Sequence, residues 1–320
     1  MAVHINEKSK LDLHHDVLSA LPESISSPIK KISLDYLEKL EEIRIRVNRP
    51  LMVVIAGSDY FLSDNGTLSR FVAGNLIVNK QDIDKCIQLM SSFSLYAVEE
   101  DIKQGFITIK GGHRVGMTGR VVCENKKIKT IKNLSSLNIR MAREIKGCSI
   151  NLINRLYQGD IKHTLIVSPP GCGKTTLLRD LIRNLSSGVS ECNLRGHRVG
   201  LVDERSEIAG SYMGVAQRDV GSRTDILDSC PKSIGMTMLL RSMSPEIIAV
   251  DEIGSEEDSI AIQDAINAGV KIIATVHGSS YDEICKRAYV GRLIEKGEFK
   301  YVVTLSRKKG PGTIEEIISI

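Results

Sequence analysis

The spacing of apolar and polar residues changes character along the chain. Ile43, Ile45 and Val47 alternate with Glu42, Arg44 and Arg46, a period of two that predicts a strand with one buried face. Asn48-Arg49-Pro50 reads as a turn, and residues 51–55 as a second strand. Upstream, residues 1–40 read as polar and helical, with Leu11, Leu18, Leu34, Leu37 and Leu40 as scattered apolar contacts. Ile83, Ile87 and Met90 share one face of a helix expected over 81–93, and a second helix is expected over 95–104. Residues 105–122 then read as a β-hairpin turning at Gly111-Gly112.

Farther on, short apolar runs at 163–167, 198–202, 246–250 and 270–275 alternate with helical patterns. Leu177, Leu178, Leu181, Ile182 and Leu185 place a helix start near Lys174. Pro231 suits the first turn of a helix running to about Ser242. Ser255 to Asp258 forms a capping box whose helix stops at Gly269. Residues 188–196 and 208–229 read as loops, and 299–305 with 313–319 as a closing antiparallel hairpin around a basic Gly-Pro-Gly turn. Strands alternating with helices predict an α/β unit with a mostly parallel sheet, covered on both faces. An α+β N-terminal domain over 1–147 precedes it, and the α/β domain covers 148–320.

The chemistry concentrates at Gly171-Cys172-Gly173-Lys174-Thr175-Thr176, between an apolar strand and a helix. Strand, glycine turn and helix in that order are what a phosphate-binding P-loop requires. The glycines let several N–H groups converge on one anion, and the helix N-terminus adds its positive dipole end. Lys174 would neutralise the β/γ phosphates of ATP, and the Thr175 hydroxyl would ligate Mg²⁺. Ser168 stands where the full motif has its first glycine, a change that removes no phosphate ligand. Asp251 follows a buried apolar strand, the Walker-B position, where it would hold the metal's water shell. Glu252 beside it would act as general base for the attacking water. His277 closes the next strand, placed either to sense the γ-phosphate or to satisfy a backbone carbonyl. Asp203, Glu204, Arg205 and Glu207 form a charged cluster at another strand end, expected to face the nucleotide. Glu204 or Glu207 would orient water or metal there, or serve a structural salt bridge. Arg114 and Arg120 flank the glycine-rich hairpin and are the first choices for an arginine acting on a neighbour's γ-phosphate, ahead of Arg218, Arg223 and Arg241.

Composition narrows the rivals. A net charge of +4 from 43 basic and 39 acidic residues, with 4% aromatics and no Trp, offers little to a nucleic acid. A P-loop enzyme remodelling RNA or DNA is therefore the alternative rather than the first reading, and a nucleotide-gated scaffold is weakened by the Asp251-Glu252 pair. The seven cysteines include no C-x-x-C pair, so no zinc site or disulfide framework is indicated. No apolar run reaches the roughly 20 residues that span a bilayer. A cytoplasmic protein is expected, reaching a membrane through protein partners.

The segments VDERSEIAG (202–210), DVGSRTDILD (219–228), RSMSPEIIAVDEIG (241–254) and ATVHG (274–278), with GFITI (105–109) and GGHRVGMTGRVV (111–122), resemble the stage III sporulation protein AA family of endospore-forming bacteria. That family is similar to the traffic ATPases of type II and type IV secretion. The resemblance implies a RecA-like core, a hexameric ring and an N-terminal domain that swings against the core. It also implies an Mg²⁺-dependent ATPase energising or assembling a channel between mother cell and forespore. The implied partners are further copies of the chain and membrane proteins encoded in the same operon. In the wider group the acidic strand-end box corresponds to Asp203–Glu207 and the histidine box to His277.

Overall fold

The computed structural model describes residues 15–72, 74–92, 99–124, 126–157 and 159–320. The chain separates into two compact units, Met1–Arg143 and Glu144–Ile320.

The N-terminal unit is built on an antiparallel sheet. Its strands are β1 (Leu40–Arg46), β2 (Met52–Ile55), β3 (Ser58–Leu62), β4 (Leu68–Ser69), β5 (Phe106–Ile109), β6 (His113–Glu124) and β7 (Lys127–Arg140), in the order β4-β3-β2-β1-β7-β6-β5. The alternation in β1 works as expected: Ile43 and Ile45 are fully buried, while Glu42, Arg44 and Arg46 keep partial exposure. The β5–β6 hairpin turns at Gly111 and Gly112, both at positive φ (82° and 70°), a conformation costly for residues with a Cβ. Helices α1 (Glu23–Lys30), α2 (Leu34–Leu37), α3 (Lys80–Met90) and α4 (Glu99–Gln104) complete the unit. The α3 helix is started by a reciprocal capping box between Asn79 and Asp82 and buries Ile83, Cys86, Ile87 and Met90.

Three local expectations change. Among the described residues, the helical reading of 1–40 resolves into short helical pieces at 15–19, 23–30 and 34–37, with Leu11 outside the described residues. Leu34, expected as an apolar contact, is 74% exposed at the start of α2. The helices expected over 81–93 and 95–104 end at Met90 and begin at Glu99, and residues 93–98 lie outside the described set.

The second unit holds a sheet ordered β10-β9-β11-β12-β8-β13-β14. Strands β8 (Thr164–Ser168), β9 (Val199–Asp203), β10 (Thr224–Asp228), β11 (Ile247–Val250), β12 (Lys271–His277) and β13 (Tyr301–Ser306) pair in parallel. Only β14 (Thr313–Ser319) runs antiparallel, against β13. Successive residues feed opposite cores. Ile166, Leu201, Ala249 and Ile273 pack with Leu177, Leu178, Leu181, Ile182 and Leu185 of α6 (Lys174–Ser187). Leu165, Val167, Val202, Ile248, Val250 and Ile272 pack on the other face with Met236 and Leu239 of α7 (Lys232–Ser242), and with Ala261 and Ile262 of α8 (Glu256–Asn267). The 208–229 stretch, expected as loop, contains β10. Its half-buried Thr-Asp-Ile-Leu-Asp sequence suits a sheet edge and gives no run of apolar residues to read.

One buried carboxylate ties the unit's first helix, α5 (Ile150–Leu156), to α6. Asp180, 2% exposed, accepts from the Gly147 amide (2.9 Å) and from both the amide and hydroxyl of Ser149 (2.8 Å each). Arg183 pairs with it at 2.7 Å. Burial pushes the carboxyl up, but the Ser149 amide and Arg183 outweigh it, and the net shift is downward. Removing the acceptor strands the buried amide and hydroxyl of Ser149. Asp180→Ala should therefore lower unfolding free energy by about 2–4 kcal/mol in urea titration.

Candidate active site

Because β8, β9, β11 and β12 are parallel and laterally paired, their carboxyl ends share one edge of the sheet. From β8 the chain enters Pro169-Pro170 and then turns through Gly171 (φ 67°) and Gly173 (φ 85°) into α6. The first amides of that helix have no intrahelical acceptors, so the turn presents donors and a positive dipole end together. Ser168 is the fully buried last residue of extended β8, a place where a β-carbon is tolerated, which accounts for the missing first glycine.

Lys174 is only 9% exposed, and its ammonium is compensated locally. Its Nζ lies 2.7 Å from Glu252 Oε1 and 3.8 Å from Asp251 Oδ1. The Thr175 hydroxyl donates to Asp251 Oδ2 at 3.3 Å, and the Thr275 hydroxyl donates to Asp251 Oδ1. Thr275 Oγ1 also accepts the Glu252 amide at 2.9 Å, holding Glu252 in a left-handed backbone conformation at φ 53°. Such a conformation in a residue with a side chain is sustained by its surroundings and is common at functional sites. The second Glu252 oxygen accepts from Arg205 Nη1 at 2.8 Å. Burial pushes the Asp251 carboxyl up, opposed by Lys174. The hydrogen bond from Lys174, more than the charge of Arg205, pulls Glu252 down.

The charged cluster after β9 divides by role. Asp203 turns inward, 2% exposed, and accepts the amides of Glu207 (2.9 Å), Ile208 (3.0 Å) and Ala209 (2.8 Å). It shapes the loop instead of facing a ligand, which corrects the expectation for this residue. Arg205 instead reaches Glu252, Glu204 is paired with Lys232, and the Glu207 charge contributes to raising Asp251. Arg179 of α6 clamps the same loop through the carbonyls of Glu207 and Ile208, each at 2.5 Å. His277 ends β12, exposed and in register with Ser168. Cys172 is buried and Thr176 half-buried within the turn region.

The arginines also divide. Arg218 is 8% exposed, and burial followed by Arg179 pushes its guanidinium down to about 10, so it is not available to a neighbouring molecule. Arg223 donates to the Ser186 carbonyl near the end of α6 at 2.9 Å, while Arg241 is exposed on α7. Arg114 and Arg120 lie on β6 in the N-terminal unit, where the Arg114 guanidinium sits 3.6 Å over the Phe106 ring.

Lys174, Thr175, Asp251 and Glu252 are thus brought together as the sequence led one to expect. Thr275 and Arg205 join them as residues the sequence did not assign. The signal for Thr275 was a hydroxyl inside an otherwise apolar buried strand; Arg205 was legible only as part of a charge cluster. Among the described residues no group of three or more His, Cys, Asp or Glu is arranged to hold a metal by itself. One hydroxyl and one carboxylate fit a cation that takes most of its ligands from phosphates and water. Nor, among the described residues, is any helix long and apolar enough to cross a membrane.

This architecture is an α/β fold shared with the ATPase DotB and the pilus retraction motor PilT. The chain superposes on the ATPase DotB of Legionella pneumophila with a TM-score of 0.55 and 16% identity, covering 88% of this chain and 74% of that one. Against the pilus retraction motor PilT, solved with bound ADP, the TM-score is 0.56 with 13% identity, covering 84% and 75%. At the level of sequence, residues 12–319 match the family model described as sporulation stage III, protein AA, and the chain belongs to that family. It is 42% identical over 303 residues to stage III sporulation protein AA of Bacillus subtilis (strain 168), covering 95% of this chain and 94% of the relative.

The buried loop carboxylate makes a pH-dependent prediction. Burial raises Asp203 from its ordinary 3.8 to about 6, so folding favours its neutral form. Its contribution to stability is full below the unfolded value and is lost as pH rises through the folded one. The stability of the wild type relative to Asp203→Asn, read by urea unfolding, should fall between about pH 4 and pH 7. A constant difference would mean that folding leaves the Asp203 carboxyl unshifted.

Proposed function

We propose that the chain is an Mg²⁺-dependent ATPase with a RecA-like core. The observation that carries this reading is the meeting of Lys174, Thr175, Asp251 and Glu252 around a glycine turn at the ends of the parallel strands β8 and β11, which flank β12. Gly171 to Thr176 would cradle the phosphates through backbone amides, and Lys174 would neutralise the β/γ oxygens. Thr175, with Asp251 acting through water, would hold Mg²⁺, which neutralises charge on the phosphates when bound.

Glu252 is the proposed base: it takes a proton from water as the water oxygen bonds to the terminal phosphorus and ADP leaves with the bridging oxygen. Its two oxygens are held by Lys174 and Arg205. Substrate phosphates would compete for Lys174 and release one carboxylate oxygen for water. Glu204 and His277 are proposed to orient water and sense the terminal phosphate. Arg114 or Arg120 would act on the site of a neighbouring copy in a hexameric ring. Sporulation-family membership and the likeness to secretion ATPases support a motor that energises or assembles a membrane-bound channel during endospore formation. It would be cytoplasmic and docked on membrane protein partners.

Lys174→Ala should abolish ATP binding, while Glu252→Gln should keep binding and lower turnover by about 10²-fold or more. Equilibrium binding and phosphate release measured on the same preparations check both, and tight ATP binding by Lys174→Ala would remove the phosphate-site assignment. Arg114→Ala should bind ATP normally and lose turnover only in the assembled form. Specific activity across a protein concentration series, with mass in solution recorded beside it, tests this; full activity from a monomer would rule it out.

A further inference from the structure

The turn joining β13 to β14 lies directly on the P-loop. Arg307 Nε donates to the Gly171 carbonyl at 2.7 Å, and the Gly312 amide donates to the Cys172 carbonyl at 2.7 Å. The contact is close: at Gly173 it leaves no room for a side chain against the backbone of the turn. A Cβ on Gly171 would fall 2.8 Å from Arg307 Nη2, and one on Gly173 would fall 2.8 Å from the Gly312 nitrogen. The turn is braced from within: the Gly310 amide reaches the Arg307 carbonyl at 3.0 Å, and the Thr313 hydroxyl reaches the Gly310 carbonyl at 2.6 Å. Lys308 is directed to Glu315 of β14 at 2.5 Å, leaving Arg307 as the side chain that grips the loop.

A glycine-rich turn has many accessible backbone conformations, and only a few direct its amides at one anion. Each peptide unit has its carbonyl opposite its amide. Fixing the carbonyls of Gly171 and Cys172 on an external donor therefore restricts where the following amides point.

We infer that the 307–312 turn is a strap that preorganises the P-loop, with Arg307 as a positioning residue for phosphate binding. The inference rests on the nucleotide-site reading above. Without the strap a smaller fraction of molecules holds the competent loop, and apparent affinity falls by that fraction for every ligand that uses the amide cradle. The strap makes no distinction among phosphate ligands, because it acts before any of them arrives.

The test uses the full chain with three probes, inorganic pyrophosphate, ADP and ATP, titrated calorimetrically. Arg307→Ala should weaken all three together, about tenfold, by loss of one charge-assisted hydrogen bond. Its deficit in turnover should appear in KM rather than kcat, and Arg307→Lys should recover most of the affinity. Without nucleotide, amide hydrogen exchange over 171–175 should be faster in Arg307→Ala than in the wild type. Lys309→Ala removes a neighbouring exposed charge without touching the loop and should bind all three probes normally.

Unchanged affinities in Arg307→Ala beside normal wild-type binding would overturn the strap alone. Loss confined to ATP would overturn it in favour of a direct γ-phosphate contact. An equal loss in Lys309→Ala would reduce the effect to general electrostatics and overturn it too. Failure of the wild type to bind any probe would defeat the nucleotide reading and the strap together, and is recognised without any variant.

Discussion

A nearly buried ammonium has to be compensated, and the centre of the ATPase-like unit is arranged around that requirement. Lys174 sits where the dipole end of α6 is already positive, so its charge needs carboxylates close by. Asp251 and Glu252 supply them from the end of β11, two strands across the same sheet. Both carboxylates are themselves held, Asp251 by two threonine hydroxyls and Glu252 by Arg205 and its own strained backbone. Lys174 and the proposed base thereby satisfy each other.

That pairing is a built-in restraint on the proposed base. A base whose carboxylate is shared between two cations has its proton affinity lowered and its oxygens engaged, which is unfavourable for activating water. Competition for Lys174 by an incoming polyanion would change both conditions at once. Coupling between occupancy and activation then needs no large motion, only an exchange of ion-pair partners across a few ångströms.

Around this centre the fold supplies stiffness. Arg179 ties α6 to the loop shaped by Asp203, Asp180 ties the same helix to α5, and the 307–312 turn grips the carbonyls of the glycine turn. The three contacts come from segments far apart in sequence, and each fixes an element that would otherwise be a free loop or a helix end. The proposed phosphate site, made chiefly of backbone amides, would depend on such bracing, since its specificity would be a matter of backbone direction.

Much of this was legible in the sequence, for local reasons. The phosphate turn, the Asp251-Glu252 pair and the main strands and helices of the second unit follow from short-range rules. Glycine freedom, helix periodicity and continuous apolar runs between turns are all readable within about ten residues. The fold's likeness to secretion ATPases and membership of the sporulation family were likewise carried by contiguous motifs. The edge strand β10 was not legible, because half-burial at a sheet edge imposes no apolar pattern.

Side-chain assignment belonged to the tertiary structure. Asp203 and Arg205 sit two residues apart in one charged run, yet one is buried by its own loop and the other reaches the proposed base. Arg218 and Arg241 look equivalent as arginines, but one is buried and the other exposed. Thr275 and Arg307 act on residues 24 and 136 positions away. The sequence by itself determined most of the elements and where the glycine turn and the Asp251-Glu252 pair fall, because those depend on near neighbours. Which charges pair and which backbone groups are held depended on distant strands arriving side by side, and only the folded sheet decided that.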